Sequence, residues 1–459
     1  MTGETRRDSA ASSPGNDEAS IACCSGFPTG APGPWKMANP VREYDWGSTG
    51  ALAALQGREP SGRPDVELWM GAHSTAPSRL RQPDGSEVSL AAAIHANPVA
   101  VLGRECTTRF GARLPFLLKV LAVGRALSIQ VHPSQAQAAA GFAREQAAGI
   151  PQAERSYVDP YAKPEMLLPV TEFAALAGLR PRARVIQMLT SLNVPALRPV
   201  LLTLKSEAGQ AGPAGVLAIL ATWPRAQRRA LASLICERAH GLLGGAATSL
   251  DPDEQSSLEW VITLAEQHPD DPLVVAPLLL RLYRLQPGQP IYLPNRVPHA
   301  YLSGVGLEIM ASSDNVVRGG LTSKRMDSQA LVDLLDPDAA PLLEVPRATL
   351  SPHEVRWQPP VPDFALSRVV VSNVPVTLAR EPSDSVGPEV LLCLNGEVTV
   401  SSDGGDVNLR GGQSAFLSAA AASPTVLVGR GQVYRATVGR ASPGTGSAIV
   451  LGLTVRNRL

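Results

Sequence analysis

The sequence predicts a mainly β protein with a helical insert. Three features carry that reading. Short apolar runs over 114–131, with Val and Ile alternating against Ser and Gln, have the length and period of buried strands rather than of a helix. Val216, Leu217 and Leu220, and later Leu258, Val261, Ile262 and Ala265, recur at the three- and four-residue spacing of a helix face. From about 346 to 459 the text returns to short strands separated by Gly, Ser and Pro clusters, which predicts a small sandwich or jelly roll.

Composition narrows the function. The 459 residues carry 41 Lys or Arg against 41 Asp or Glu, so nothing in the bulk charge points to nucleic acid or an anionic membrane surface as partner. An apolar share of 44% fills ordinary cores, while 4% aromatics with 40 Gly and 41 Pro predict many turns and cores of Leu, Val, Ile and Ala. Five cysteines, two of them adjacent at Cys23 and Cys24, make neither a disulfide framework nor a paired zinc-finger spacing. A reducing, cytoplasmic setting is expected, and a monomer. No window reaches the roughly 18 uninterrupted apolar residues of a membrane span.

Along the chain, residues 1–36 lack any period and read as a disordered leader, with Met37 offering an alternative translation start. Residues 37–182 and 287–345 form one discontinuous β domain. Helical text fills 183–286, where Ser256-Ser257 with Glu259 resembles a capped helix start. A second β domain occupies 346–459. β text on both sides of a helical block is the order expected for helices inserted into a β domain.

Four polar residues interrupt strand text where apolar ones belong. They are Gln130 and His132 in Ser-Ile-Gln-Val-His-Pro, Glu165 in Ala-Lys-Pro-Glu-Met, and His299 in Leu-Pro-Asn-Arg-Val-Pro-His-Ala-Tyr. Residues i and i+2 of a strand share a face, so Gln130 and His132 place two donors on one wall. Gly288, Pro294 and His299 reproduce the spacing of the second signature motif of cupins, with Arg296 where that motif often has Gly. That resemblance implies a cupin (jelly-roll) barrel. Two imidazoles, one carboxylate and one amide oxygen suit a borderline divalent ion, most commonly Zn2+, here one per chain. With a single anionic ligand the ion keeps net positive charge and acts as a Lewis acid. A lone histidine near a strand end is more often structural, and His73, His95, His240, His268 and His353 have no comparable partners.

The surrounding text resembles type I phosphomannose isomerase over most of residues 39–345. The strings are Tyr-Asp-Trp-Gly-Ser at 44–48, Glu-Leu-Trp-Met-Gly-Ala-His at 67–73 and Leu-Pro-Phe-Leu-Leu-Lys-Val-Leu at 114–121. They continue with Leu-Ser-Ile-Gln-Val-His-Pro at 127–133, Lys-Pro-Glu-Met at 163–166 and His-Ala-Tyr-Leu-Ser-Gly at 299–304. Ala-Ser-Ser-Asp-Asn-Val-Val-Arg-Gly-Gly-Leu-Thr at 311–322 completes the set.

The resemblance implies zinc-dependent interconversion of mannose 6-phosphate and fructose 6-phosphate, with Gln130, His132, Glu165 and His299 as metal ligands. It places Arg318 at the family's active-site arginine. Asp45, Trp46, Glu67, Lys119, Ser128, Lys163, Tyr301, Glu308 and Lys324 fall on pocket positions. Aldose-ketose isomerisation needs a base, an electrophile and a phosphate anchor. Arg318 joins the metal as electrophile. Glu308, with Lys163 as competing candidate, moves the proton. Lys119, Ser128 and Lys324 offer two cations and a hydroxyl to the phosphate. Lys119 stands inside Leu-Leu-Lys-Val-Leu, where an unpaired ammonium is costly to bury.

Two other readings stand beside this one: a non-catalytic metal-cupin that senses phosphosugars, and a related isomerase acting on glucose 6-phosphate or another aldose phosphate. The presence of Glu308, Arg318, Lys163 and Lys324 favours the enzyme. The C-terminal segment resembles a second cupin core, but it has no histidine after His353 and is read as structural. The helical insert shows no chemical constellation and is read as a cover for the cleft.

Overall fold

The computed structural model describes residues 33–440, apart from 83, 206–211, 246–249, 323–325, 380–386 and 422. Lys324 and the first 32 residues of the expected leader therefore lie outside the described residues. The chain is mainly β, organised around two large sheets, with a cluster of helices between Arg182 and Gln267. No helix among the described residues is long and apolar enough to cross a membrane.

The sheet that carries the site is centred on strand His299–Ala311. One edge of that strand pairs antiparallel with Phe116–Val123, setting Glu308 opposite Lys119. Its other edge pairs with Glu165–Pro169, setting Met310 opposite Glu165, and its first residues meet Ile129–Val131 and Phe173–Leu179. All eight residues of Phe116–Val123 are buried, as expected of a strand covered on both faces. Lys119 is the one charge in that run.

Strand text returns at Leu280, seven residues before the expected end of the helical block at 286–287. Leu280–Leu285 alternates Leu and Tyr with Arg and pairs with Phe173–Leu179, so the alternation belongs to a sheet edge and not to a helix. The expected cap at Ser256-Ser257 is also corrected. The helix runs Pro252–Gln267 and is capped by Asp251, which accepts from the Glu254 N–H; Pro252, Asp253 and Glu254 in the first turn suit that start better. Its Leu258, Val261 and Leu264 are buried in one core with Leu231, Ile235 and Ala239 of the neighbouring helix Arg225–Gly244, each such burial worth about 1.5–3 kcal/mol. A further helix, Gln135–Ala147, follows the His132-Pro133 pair and starts with a capping box between Ser134 and Gln137.

The second sheet is built from C-terminal strands between Arg347 and Thr437, extended by three strands from the N-terminal half. Trp35–Ala38 pairs with Gln413–Leu417 on one side and Arg79–Arg81 on the other, with Trp35 opposite Phe416. Trp35 and Lys36, which the sequence groups with the leader, thus stand in a strand, and Trp35 is buried in the core that joins the two sheets. Inside the C-terminal sheet Arg435 is 2% exposed and binds Glu389 bidentately at 2.8 Å and Glu354 at 3.0 Å. This buried charge cluster is fully hydrogen-bonded, the condition under which such a cluster is tolerated.

Candidate metal centre and active-site pocket

Three strands and one loop deliver the ligand candidates. His132 follows strand Ile129–Val131, Glu165 opens Glu165–Pro169 and His299 opens His299–Ala311. All three are buried, and one ligand atom from each lies within 4.8 Å of the others. His132 Nε2 is 3.3 Å from Glu165 Oε1, and His299 Nε2 is 3.4 Å from Glu165 Oε2. Gln130 is the register partner of His299 on one side and of Arg318 on the other. The strand pairing thus sets the amide beside the imidazoles.

The tautomers follow from the opposite side of each ring. His132 Nδ1 lies 2.8 Å from the Asn315 carbonyl oxygen and His299 Nδ1 lies 3.0 Å from that of Val297. A carbonyl only accepts, so each Nδ1 carries a proton and each Nε2 is the ring nitrogen that faces Glu165. His132 Nε2 accordingly has no hydrogen-bond partner, although it is fully buried. Burial, opposed by the Glu165 charge, lowers the His132 pKa from the ordinary 6.5 to about 4, so the ring is neutral. Burial alone would raise the Glu165 carboxyl, but His132 and Lys163 outweigh it and hold the group well below its usual range. A neutral imidazole at His132 and an ionised carboxylate at Glu165 are protonation states that a metal requires.

Arg296, the departure from the cupin spacing, has φ of 72°, the left-handed region that favours glycine. Its side chain is tied down by Asp336 at 2.9 Å and by the Leu334 carbonyl at 3.1 Å.

Around these ligands lies a cavity of about 570 Å³. It brings together Asp45, Trp46, Glu67, Lys119, Ser128, Gln130, Lys163, Glu165, His299, Tyr301, Glu308 and Arg318 from the sequence-predicted set. His132 stands behind the wall, and Lys324 is outside the described residues. Asp45 is exposed at the rim, where Tyr44 and Trp46 stack with centroids 5.7 Å apart.

Lys119 is held among carboxylates. Its Nζ is 3.0 Å from Glu308 and 3.9 Å from Glu67, and it lies 5.1 Å from the centroid of Trp69. An ammonium matched by two carboxylates is not a free charge awaiting phosphate. Burial would lower its pKa, but Glu308 and Glu67 outweigh that and raise it, so it stays charged. Burial raises the Glu308 pKa; the Lys119 charge opposes that shift and Glu165 reinforces it. Lys163 Nζ is 3.3 Å from Glu165. Arg318 has no carboxylate partner among the described residues, and burial lowers its pKa, with only Tyr44 opposing.

Several lining residues escaped sequence reasoning. Trp69 donates from Nε1 to Glu67 at 2.7 Å, a pairing hinted at by their i, i+2 spacing on one strand. Gln267 and His268, at the end of the insert's Pro252–Gln267 helix, and Arg125 also line the cavity. Gln267 and His268 carry no local signal, because they approach from a separate part of the chain.

The phosphomannose isomerase type I catalytic-domain profile matches residues 35–182. Mannose-6-phosphate isomerase of Escherichia coli (strain K12) is 36% identical over 409 residues, covering 87% of this chain and 98% of that one. The chain belongs to the type I phosphomannose isomerase family. Among solved structures, a point mutant of phosphomannose isomerase from Salmonella typhimurium superposes with a TM-score of 0.77 at 33% identity, covering 89% of this chain and all (100%) of that one. A zinc-bound mannose 6-phosphate isomerase gives a TM-score of 0.76 at 33% identity, covering 88% of this chain and 99% of that one.

Proposed function

We propose that the chain interconverts D-mannose 6-phosphate and D-fructose 6-phosphate through a cis-enediol, with zinc held by Gln130, His132, Glu165 and His299 in a cupin-type barrel. The observation that carries this reading is the setting of Glu165, a buried carboxylate 3.3 and 3.4 Å from the Nε2 atoms of two buried histidines whose Nδ1 atoms are held by main-chain carbonyls. Two imidazoles and a carboxylate converging in this way are a donor set that a divalent ion takes. Relatives that bear the name mannose-6-phosphate isomerase, one of them zinc-bound, support the substrate and the metal.

When bound, zinc supplies a Lewis acid that polarises the sugar oxygens at the reacting carbons. The chain does the rest. Glu308 takes the proton from the carbon beside the carbonyl and returns it to the neighbouring carbon. Its raised pKa brings a carboxylate closer to the operating pH, and the Lys119 ammonium at 3.0 Å steadies its ionised form. Lys163 is held against Glu165 and orients that ligand, which leaves Glu308 the better-placed carrier. Arg318, opposite Gln130 in the register, faces the reacting end and stabilises the oxyanion as it develops. Ser128, with Lys324, anchors the phosphate, while Asp45 and Trp46 at the rim and Glu67 and Tyr301 within orient the sugar.

A phosphosugar sensor has no use for a buried Lys–Glu pair beside its ligand. The deciding experiment is a coupled assay that follows fructose 6-phosphate formed from mannose 6-phosphate, with glucose 6-phosphate run in parallel. Turnover of the mannose ester alone supports the reading. Binding without turnover would return the chain to the sensor class.

A further inference from the structure

The helical insert reaches the cavity at one place, the end of its Pro252–Gln267 helix. Gln267 Oε1 accepts from the Ala126 N–H at 3.0 Å, and its main-chain oxygen accepts from Arg125 Nη2 at 3.1 Å. Four residues on, Asp271 Oδ2 accepts from the Leu321 N–H at 2.6 Å. Residues 267–271 are therefore clamped between the segment that leads into Ser128 and the segment that follows Arg318. His268 lies in that clamp and lines the cavity, and its Nε2 is buried without a hydrogen-bond partner. An orphaned ring nitrogen in a polar wall is costly unless a ligand completes it.

Position along the wall identifies the ligand. Gln130 marks the metal end. Ser128 is two residues earlier on the same face, about 7 Å away at the rise of a strand. A six-carbon sugar phosphate spans that separation, so with its reacting carbons at Gln130 its phosphate reaches Ser128. The charges agree. Lys119 and Lys163 are matched by carboxylates at 3.0 and 3.3 Å, whereas Arg125 binds only the Gln267 carbonyl and no carboxylate among the described residues. Asp271, whose charge acts on the His268 ring, spends its oxygens on the N–H groups of Leu273 and Leu321.

We propose that His268, beside Arg125 and Ser128, donates from Nε2 to the phosphate of the bound sugar ester, so that the insert supplies a substrate-binding residue. The proposal rests on the sugar-phosphate reading above. Burial lowers the pKa of the His268 ring, while Asp271 and a main-chain contact with Ala126 pull it back up.

The test compares the zinc-loaded parent, His268→Phe and His268→Gln, measuring KM for mannose 6-phosphate and competitive inhibition by inorganic phosphate. Phe keeps a flat ring without the donor, and Gln keeps an N–H. His268→Phe is expected to raise KM and the phosphate inhibition constant together by about tenfold or more, with a far smaller change in kcat, and His268→Gln to recover most of the loss. Both constants within about twofold of the parent in His268→Phe would overturn the assignment. If His268→Phe does not fold, ring-nitrogen NMR of the parent decides. The His268 signal, recognised by its loss in His268→Gln, shifts on addition of inorganic phosphate, and an unmoved signal overturns the proposal. A parent that shows the phosphate shift but no turnover contradicts the isomerase reading and leaves the anion subsite standing.

Discussion

The main-chain N–H of Arg296 donates to the carbonyl oxygen of His132 at 2.8 Å, tying the turn before one histidine ligand to the residue that bears the other. That turn needs a left-handed residue. A side chain costs about 1 kcal/mol there, and the half-exposed Arg296–Asp336 pair returns about 0–1 kcal/mol. Arg296→Gly is therefore expected to shift stability by less than about 1 kcal/mol in denaturant unfolding. Arg296→Val, β-branched in a region such residues avoid, should cost about 2 kcal/mol or more and weaken metal retention. Equal tolerance of both would contradict this account of the turn.

His132→Ala, His299→Ala and Gln130→Ala should each lose metal and turnover together. Bound zinc by elemental analysis, read beside activity, checks this. Full turnover by a metal-free variant would remove the metal from the mechanism.

Arg318→Ala should keep the fold and the zinc but lower kcat by about a hundredfold or more, the loss seen when an oxyanion-stabilising donor is removed. Glu308→Gln should lower kcat by about a hundredfold or more with zinc retained. Near-normal turnover in either variant would withdraw its role.

The metal-free protein should weaken in acid. His132 has a depressed folded pKa of about 4 against an ordinary 6.5, so the unfolded chain takes up its proton first and stability falls as pH drops from 6.5 toward 4. Glu165, also depressed, adds a loss once pH falls below its ordinary 4.5. Both groups act in the same direction. Thermal unfolding of the chelator-treated chain across this range checks the slope, and a Tm that stays flat or rises with acid would contradict it.

The sequence exposed the reacting end of the site because chemistry there interrupts otherwise apolar strands. Lys119 stands out in a fully buried run, and Gln130 and His132 share one face by strand period. What those groups touch was hidden. The Lys119–Glu308 pairing depends on the register of two strands distant in sequence. Trp35 was read as leader because its partner, Phe416, lies near the other end of the chain. Ser256-Ser257 imitated a cap that Asp251 provides. His268 shows no partner in the sequence, because the contacts of its neighbours Gln267 with Ala126 and Asp271 with Leu321 form only in the folded chain.

The most direct test of a zinc-dependent isomerase is turnover of mannose 6-phosphate to fructose 6-phosphate before chelation, after chelation and after zinc is returned. Loss on chelation and recovery at about one zinc per chain is the predicted result. Undiminished turnover by a verified metal-free protein would contradict it.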